Sequence, residues 1–162
     1  MLYGMSQHGL AAAANMSFAD AQAFINEYFR VRPHVKQYID DTIKKAHDDG
    51  FVETLFGRRR WTPDVKSSNF VVRQAAERAA ANMPIQGTEA DLMKLAMIEV
   101  DKRLDGRGEQ LLQIHDSILI ECPKDNAEAI SDMLVDTMEN IYPNLGVRLQ
   151  VDVHTGDNWG EV

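Results

Sequence analysis

Three groups of side chains in this sequence have types and spacing suited to chemistry. The first is His115-Asp116-Ser117, a polar step between two short apolar runs, Leu111-Leu112-Gln113-Ile114 and Ile118-Leu119-Ile120. A carboxylate buried among strands is costly unless a hydrogen-bonding partner or a metal ion uses it. The second is Arg58-Arg59-Arg60 followed by Trp61. Guanidinium groups present paired donors that match phosphate oxygens, and an aromatic ring can stack on a base. The plain alternative for this stretch is a solvated loop beside a half-buried Trp61. The third group, Arg78, Asn82 and Gln86, recurs every four residues. On a helix that spacing aligns the three along one side, and Arg, Asn and Gln are the side chains that read nucleic-acid edges. Its plain alternative is three exposed polar residues.

These groups need elements to hold them. The two apolar runs around His115-Asp116, preceded by Gly106 and Gly108 and followed by Pro123, predict a buried β-hairpin with the pair at its tip. Phe51 to Leu55 reads as a strand, with Gly57 at a turn and a polar loop over 62–69. A helix is predicted from about Phe70 to about Leu104, broken or kinked at Pro84 and weakened at Gly87. Upstream, the Ala11–Ala14 run favours a helix. Ser17 with Asp20 resembles a capping box for a second, striped by Phe18, Ala21, Phe24, Ile25, Tyr28 and Phe29. Pro33 opens a third helix, striped by Val35, Tyr38, Ile39 and Ile43, and Gly50 closes it. Downstream, Asp125 and Glu128 predict another capped helix with Ala127, Ile130, Met133, Leu134, Met138 and Ile141 buried. Strict alternation at Val147, Leu149, Val151 and Val153 predicts a final strand. Helices first, then an antiparallel sheet with packed helices, implies an α+β fold.

Composition sets limits. The chain has 162 residues, 44% of them hydrophobic and 26% charged, an ordinary globular balance. No apolar run approaches the roughly 20 residues of a membrane span, and the first residues lack the pattern of an export signal. A single cysteine, Cys122, excludes an internal disulfide and a cysteine zinc site, and reads as a small core filler. Cytoplasmic location is the expectation. The net charge of −8 argues against a uniformly nucleic-acid-binding surface. Yet residues 1–80 hold 11 Lys+Arg against 9 Asp+Glu, and residues 81–162 hold 6 against 16. A polyanion should therefore meet the first half, at Arg58 to Arg60, Lys66, Arg73 and Arg78. His34 and His47 lie off the apolar stripes and read as surface residues without partners.

In order along the chain, Leu2-Tyr3-Gly4-Met5-Ser6, Gly50-Phe51-Val52-Glu53-Thr54-Leu55-Phe56-Gly57-Arg58-Arg59-Arg60, Ala75-Ala76-Glu77-Arg78, Asn82-Met83-Pro84-Ile85-Gln86-Gly87-Thr88, Gln113-Ile114-His115-Asp116 and Gly156-Asp157-Asn158-Trp159 resemble the C-terminal segment of the family A DNA polymerases. The resemblance spans nearly the whole chain. It implies that residues 1–50 form the C-terminal part of a helical fingers subdomain and residues 51–162 part of a palm with an antiparallel sheet. It implies template-directed DNA synthesis, with primer–template DNA and deoxynucleoside triphosphates as partners and two Mg²⁺ ions as cofactors. Tyr3 and Gly4 would lie beside the templating base and incoming nucleotide. Arg78, Asn82 and Gln86 would contact primer–template, and Arg58, Arg59 and Arg60 the template backbone. His115 would touch the primer terminus, and Asp116 would be one of two catalytic metal-binding aspartates.

The sequence departs from the family at Ser117, where Glu is usual, so an accessory carboxylate is missing and metal affinity should be lower. The residues at Leu2 to Met5 look cut from the middle of an element, so the chain is expected to begin inside a larger protein. The other catalytic aspartate and the fingers Arg and Lys that hold the triphosphate are expected upstream, and the segment alone is expected to be inactive. Two other readings compete: a non-catalytic DNA-binding or structural segment, and a metal-dependent phosphohydrolase built on His115-Asp116. The second needs further ligands, and His8, His34, His47 and His154 are not paired at ligand spacing.

Overall fold

The computed structural model describes residues 6–162. Backbone contacts divide the chain into two compact units, Met1–Thr88 and Glu89–Val162. The first holds α1 (Gln7–Ala14), α2 (Phe18–Val31), α3 (Pro33–Asp49), β1 (Phe51–Glu53), β2 (Arg59–Trp61), a 3₁₀ turn at Pro63–Lys66 and the start of α4 (Phe70–Leu104). The second holds the rest of α4, then β3 (Glu109–Ile114), β4 (Ser117–Glu121) and α5 (Ala127–Glu139), with short 3₁₀ turns at Lys124–Asn126, Pro143–Leu145 and Trp159–Glu161. The α+β class is as expected. Its strands form two separate antiparallel hairpins, β1–β2 and β3–β4.

Local chemistry sets most helix limits in the first unit. Ser17 caps α2 by accepting the Asp20 N–H at 3.1 Å and donating its hydroxyl to Asp20 Oδ2 at 2.7 Å. Pro33 stands at the start of α3, where its missing N–H costs little, and Gly50 ends that helix at φ 77°, a left-handed cap. The core of this unit is Ala46, Val52, Val65 and Ala80, with Ala76 and Met83 packed against it. Small residues at its centre let α3 and β1 pack closely, and Ala80 brings α4 onto the same cluster. The stripe of α2 does not form a core: only Ala21 is buried, and Phe18 and Phe24 stay 46% and 52% exposed. Its packing neighbours, α1 and α3, leave those rings open. His47 is not a partnerless surface residue either, since its Nε2 lies 2.9 Å from Glu77 Oε1 and links α3 to α4.

The predicted break at Pro84 does not occur. Helical backbone continues through it from Phe70 to Leu104. Proline removes one i→i−4 hydrogen bond, and the packing of Ala76, Ala80 and Met83 on the core holds the segment helical regardless.

The second unit packs Val100, Leu104 and Ile130 together, with Ile120, Cys122, Met133, Leu134 and Met138 against them. This is the α5 stripe read from the sequence, and Cys122 is filler as expected. The start of α5 differs from expectation. Asn126 takes the cap position without a side-chain bond, and the Lys124–Asn126 turn leads into the helix, so Asp125 and Glu128 form no box. Residues 147–153 form no strand. Alternation needs a neighbouring strand to become a ladder, and here the Val151 N–H donates to Glu139 Oε1 of α5 at 3.2 Å.

Candidate functional site

In the first unit, α4 has two sides with different work. Ala76, Ala80 and Met83 face the core. At 3.6 residues per turn, Arg78 and Asn82 fall away from that side and Gln86 at about a right angle to it. Arg78 and Gln86 are exposed and Asn82 is half-buried. Neither Arg78 nor Gln86 makes a hydrogen bond or ion pair among the described residues, so both donor groups are available to a ligand. Asn82 also borders an open apolar groove of about 410 Å³ with Val35, Tyr38, Ile39 and Ile85.

Arg59 and Arg60 lie on β2 and Arg58 in the turn just before it, and the pleat divides the two on the strand. Phe51 pairs with Trp61, Val52 with Arg60 and Glu53 with Arg59. Arg59 is committed locally: its guanidinium stacks 4.3 Å from the Phe51 ring centroid and its Nε lies 3.4 Å from Glu53 Oε2. Lys45 reaches the same carboxylate at 2.7 Å. The Lys45 hydrogen bond first, and Arg59 after it, hold Glu53 below the usual carboxylate range against the opposing effect of desolvation. Arg60 is exposed and makes no hydrogen bond or ion pair among the described residues. Trp61 is 67% exposed, not half-buried, with its ring edge-on to Phe51 at 5.5 Å.

In the second unit, Ile114 pairs with Ser117, which leaves His115 and Asp116 as a two-residue turn between β3 and β4. The hairpin is not buried as expected. Leu111 and Leu112 are 48% and 45% exposed, and both turn residues are exposed. A two-stranded ribbon has one face too many for its single packing surface, so water solvates the Asp116 carboxylate. That carboxylate accepts no hydrogen bond and makes no ion pair among the described residues. The turn itself is well tied. Ser117 Oγ donates to the Ile114 carbonyl at 2.9 Å and Gln113 Nε2 to the His115 carbonyl at 2.5 Å. His115 sits at φ 54°, a left-handed conformation that costs a side-chain-bearing residue about 1–2 kcal/mol. Lower down, Leu111 is the extra residue of a bulge between Gln110 and Leu112, and Gln110 Nε2 donates to the Met97 carbonyl at 3.0 Å. Bulges re-aim the strand beyond them, and here the strand beyond leads to the tip.

Tyr3 and Gly4 lie outside the described residues. Sequence reasoning missed Thr54, Gly87 and Thr88, which seat the β1–β2 turn on α4. Their signal was present: glycine is an unfavourable helix residue and threonine a mediocre one, yet both stand together inside α4.

The first unit thus presents Arg78 and Gln86 on a helix and Arg60 on a strand, and the second presents a bare carboxylate on a tight turn, in a chain of α+β type. The model of DNA polymerase family A matches residues 1–161. The chain belongs to that family. It is 48% identical over 160 residues to the thermostable DNA polymerase I of Thermus aquaticus, covering 98% of this chain and 19% of that protein. Identity to DNA polymerase I of Deinococcus radiodurans is also 48%, over 98% of this chain and 17% of that protein. The chain therefore spans about a fifth of the length of the curated relatives it matches. The POL domain of Pol1 from M. smegmatis, solved with DNA primer–template and dNTP, superposes with a TM-score of 0.85 at 40% identity, over 92% of this chain and 27% of that one.

Proposed function

We propose that this chain is the fingers-end and palm segment of a template-directed DNA polymerase, which adds deoxynucleotides to a primer 3′-hydroxyl. Residues 1–50 are the fingers part and 51–162 the palm part. The observation that carries this reading is the unpartnered Asp116 carboxylate on a tied turn, in a chain that the family model matches almost end to end. Arg78, Asn82 and Gln86 donate to minor-groove acceptors, which are nearly alike for every base pair, so base-pair shape is checked without reading sequence. Arg58 and Arg60 grip template phosphates, and Arg59 supports them through Phe51 and Glu53. Tyr3 and Gly4 flank the nascent pair, and His115 positions the primer terminus beside Asp116.

Asp116 suits Mg²⁺, which prefers carboxylate oxygens and keeps several waters. Among the described residues no cluster of three His, Cys, Asp or Glu could hold a metal ion by itself. Asp116 would therefore supply one ligand, and the others come from the rest of the polymerase and the triphosphate. When bound, two Mg²⁺ ions supply charge stabilisation for the entering and leaving oxygens. The missing three-ligand cluster counts against the phosphohydrolase reading. No helix among the described residues is long and apolar enough to cross a membrane, and we place the protein in the cytoplasm with its DNA.

The segment alone, given primer–template, Mg²⁺ and nucleotides, should bind DNA in a salt-dependent way and not extend the primer. Metal-dependent extension above background by the 162 residues would defeat the partition of the site. Loss of salt-dependent binding would defeat the DNA-facing role.

A further inference from the structure

Two hydroxyls and one absent side chain seat the β1–β2 turn on α4, all within the first unit. Thr54, only 5% exposed, closes the turn on itself. Its Oγ1 accepts the N–H groups of Phe56 at 3.2 Å and Arg58 at 3.1 Å. Its own N–H donates to the Arg58 carbonyl at 2.9 Å, and its carbonyl accepts the Gly57 N–H at 3.0 Å. The Leu55 N–H instead donates to Thr88 Oγ1 of α4 at 2.9 Å, and the Thr88 hydroxyl donates onward to the Pro84 carbonyl at 2.5 Å. Beside this relay, a Cβ on Gly87 would stand 2.6 Å from Thr54 Cγ2, closer than real contacts allow. Only glycine lets the turn reach the helix, which explains a residue that otherwise weakens it.

We propose that Thr88 and Gly87 are positioning residues that fix the Arg58–Arg60 hairpin against α4, so that phosphate-gripping guanidiniums and the Arg78-Asn82-Gln86 side engage one duplex together. The inference rests on the DNA-binding reading above. Neither Thr88 nor Gly87 needs to touch nucleic acid. Their effect is preorganisation: a hairpin already placed loses less freedom when it binds, and two linked contact sets reinforce each other.

The test uses the intact protein, with primer–template affinity measured across a range of salt and thermal unfolding measured in parallel. Thr88→Val keeps the branched shape and removes both hydroxyl bonds. It should weaken binding about fivefold and reduce the slope of log K against log salt by about one. Thr88→Ser should restore both, and Gly87→Ala should reproduce the Val defect. In a background carrying both Arg58→Ala and Arg60→Ala, Thr88→Val should add little, because the contacts it positions are already gone. The proposal is overturned if Thr88→Val keeps the unaltered salt slope, if its loss adds in full to that of this double variant, or if it lowers only the unfolding temperature. If the unaltered protein binds and Arg58→Ala flattens the slope while Thr88→Val does not, the positioning role alone falls. If the unaltered protein shows no salt-dependent binding, the DNA-binding reading falls and takes this role with it.

Discussion

The two hairpins of this chain are built on opposite plans. The β1–β2 hairpin is short and anchored: Val52 is 1% exposed in the core, Thr54 is buried, and Thr88 ties its turn to a helix. The β3–β4 hairpin is longer and stands open, with exposed leucines, a left-handed His115 and a carboxylate that nothing in the described chain engages. The first plan suits groups that must hold a large, rigid polyanion at a set spacing. The second suits a group that must stay free for a ligand brought by the reaction. Support goes to the arginine-bearing hairpin, and the Asp116 carboxylate is left bare.

The comparison breaks most sharply on function. On the proposed polymerase reading, Asp116→Ala in the intact protein should lower nucleotide incorporation about a thousandfold or more, since a metal held there would lower the barrier by several kcal/mol, and primer–template affinity should hardly change. Arg60→Ala should do the reverse, weakening binding and its salt slope by about one phosphate contact with a near-normal maximal rate. Single-turnover kinetics beside a binding titration separates the two. If affinity collapses with activity in Asp116→Ala, the open hairpin is structural after all.

A stability test comes next in size. Val52→Ala should cost about 2 kcal/mol because it opens the anchored core, whereas Leu112→Ala should stay within about 0.5 kcal/mol because its side chain is half in water. Denaturant unfolding of both variants reads this directly. Equal losses would mean that the two hairpins are equally packed.

Much of this division was legible in the amino-acid order, and the failures share one cause. Ser17, Pro33 and Gly50 mark helix ends through local hydrogen bonds and backbone preference, and the structure agrees at each. The spacing of Arg78, Asn82 and Gln86 needed only a continuous helix to be meaningful. Burial was harder. Apolar runs at Leu111 to Ile114 and the stripe of α2 predict a covered face, yet the cover must come from elsewhere in space, which no local pattern reveals. Pro84 failed as a helix breaker for the same reason, since tertiary packing outweighed one lost hydrogen bond. The alternation at Val147 to Val153 describes a strand's faces but not its partner. The seat of the β1–β2 turn joins Leu55 to Thr88 and Thr54 to Gly87 across the chain, so it stayed invisible until both ends were placed.

The smallest expected effect concerns the segment after α5. The Arg148 side-chain hydrogen bond, then the Val151 N–H, hold Glu139 below its ordinary value of 4.5. A depressed carboxylate stabilises the folded arrangement above the unfolded value and loses that contribution as pH falls through the folded one. Acidification below about pH 4 should therefore release this segment first, seen as faster exchange of the Val151 amide. The β1–β2 hairpin has its own depressed carboxylate at Glu53, but hydrophobic anchoring should keep that hairpin in place under the same conditions. Parallel release of both would erase the contrast.

Residues 147–153 carry one more consequence. Apolar side chains alternate along a stretch with no ladder neighbour among the described residues, which is the chemistry of an unfinished sheet edge. In concentrated solution, two copies of the isolated segment should complete each other there. Light scattering should then rise with concentration, and a charge placed on that stretch by Val151→Lys should suppress the rise. An alternation that could line an interior beside a partner strand would, without one, be a source of turbidity, and those few valines are where it should start.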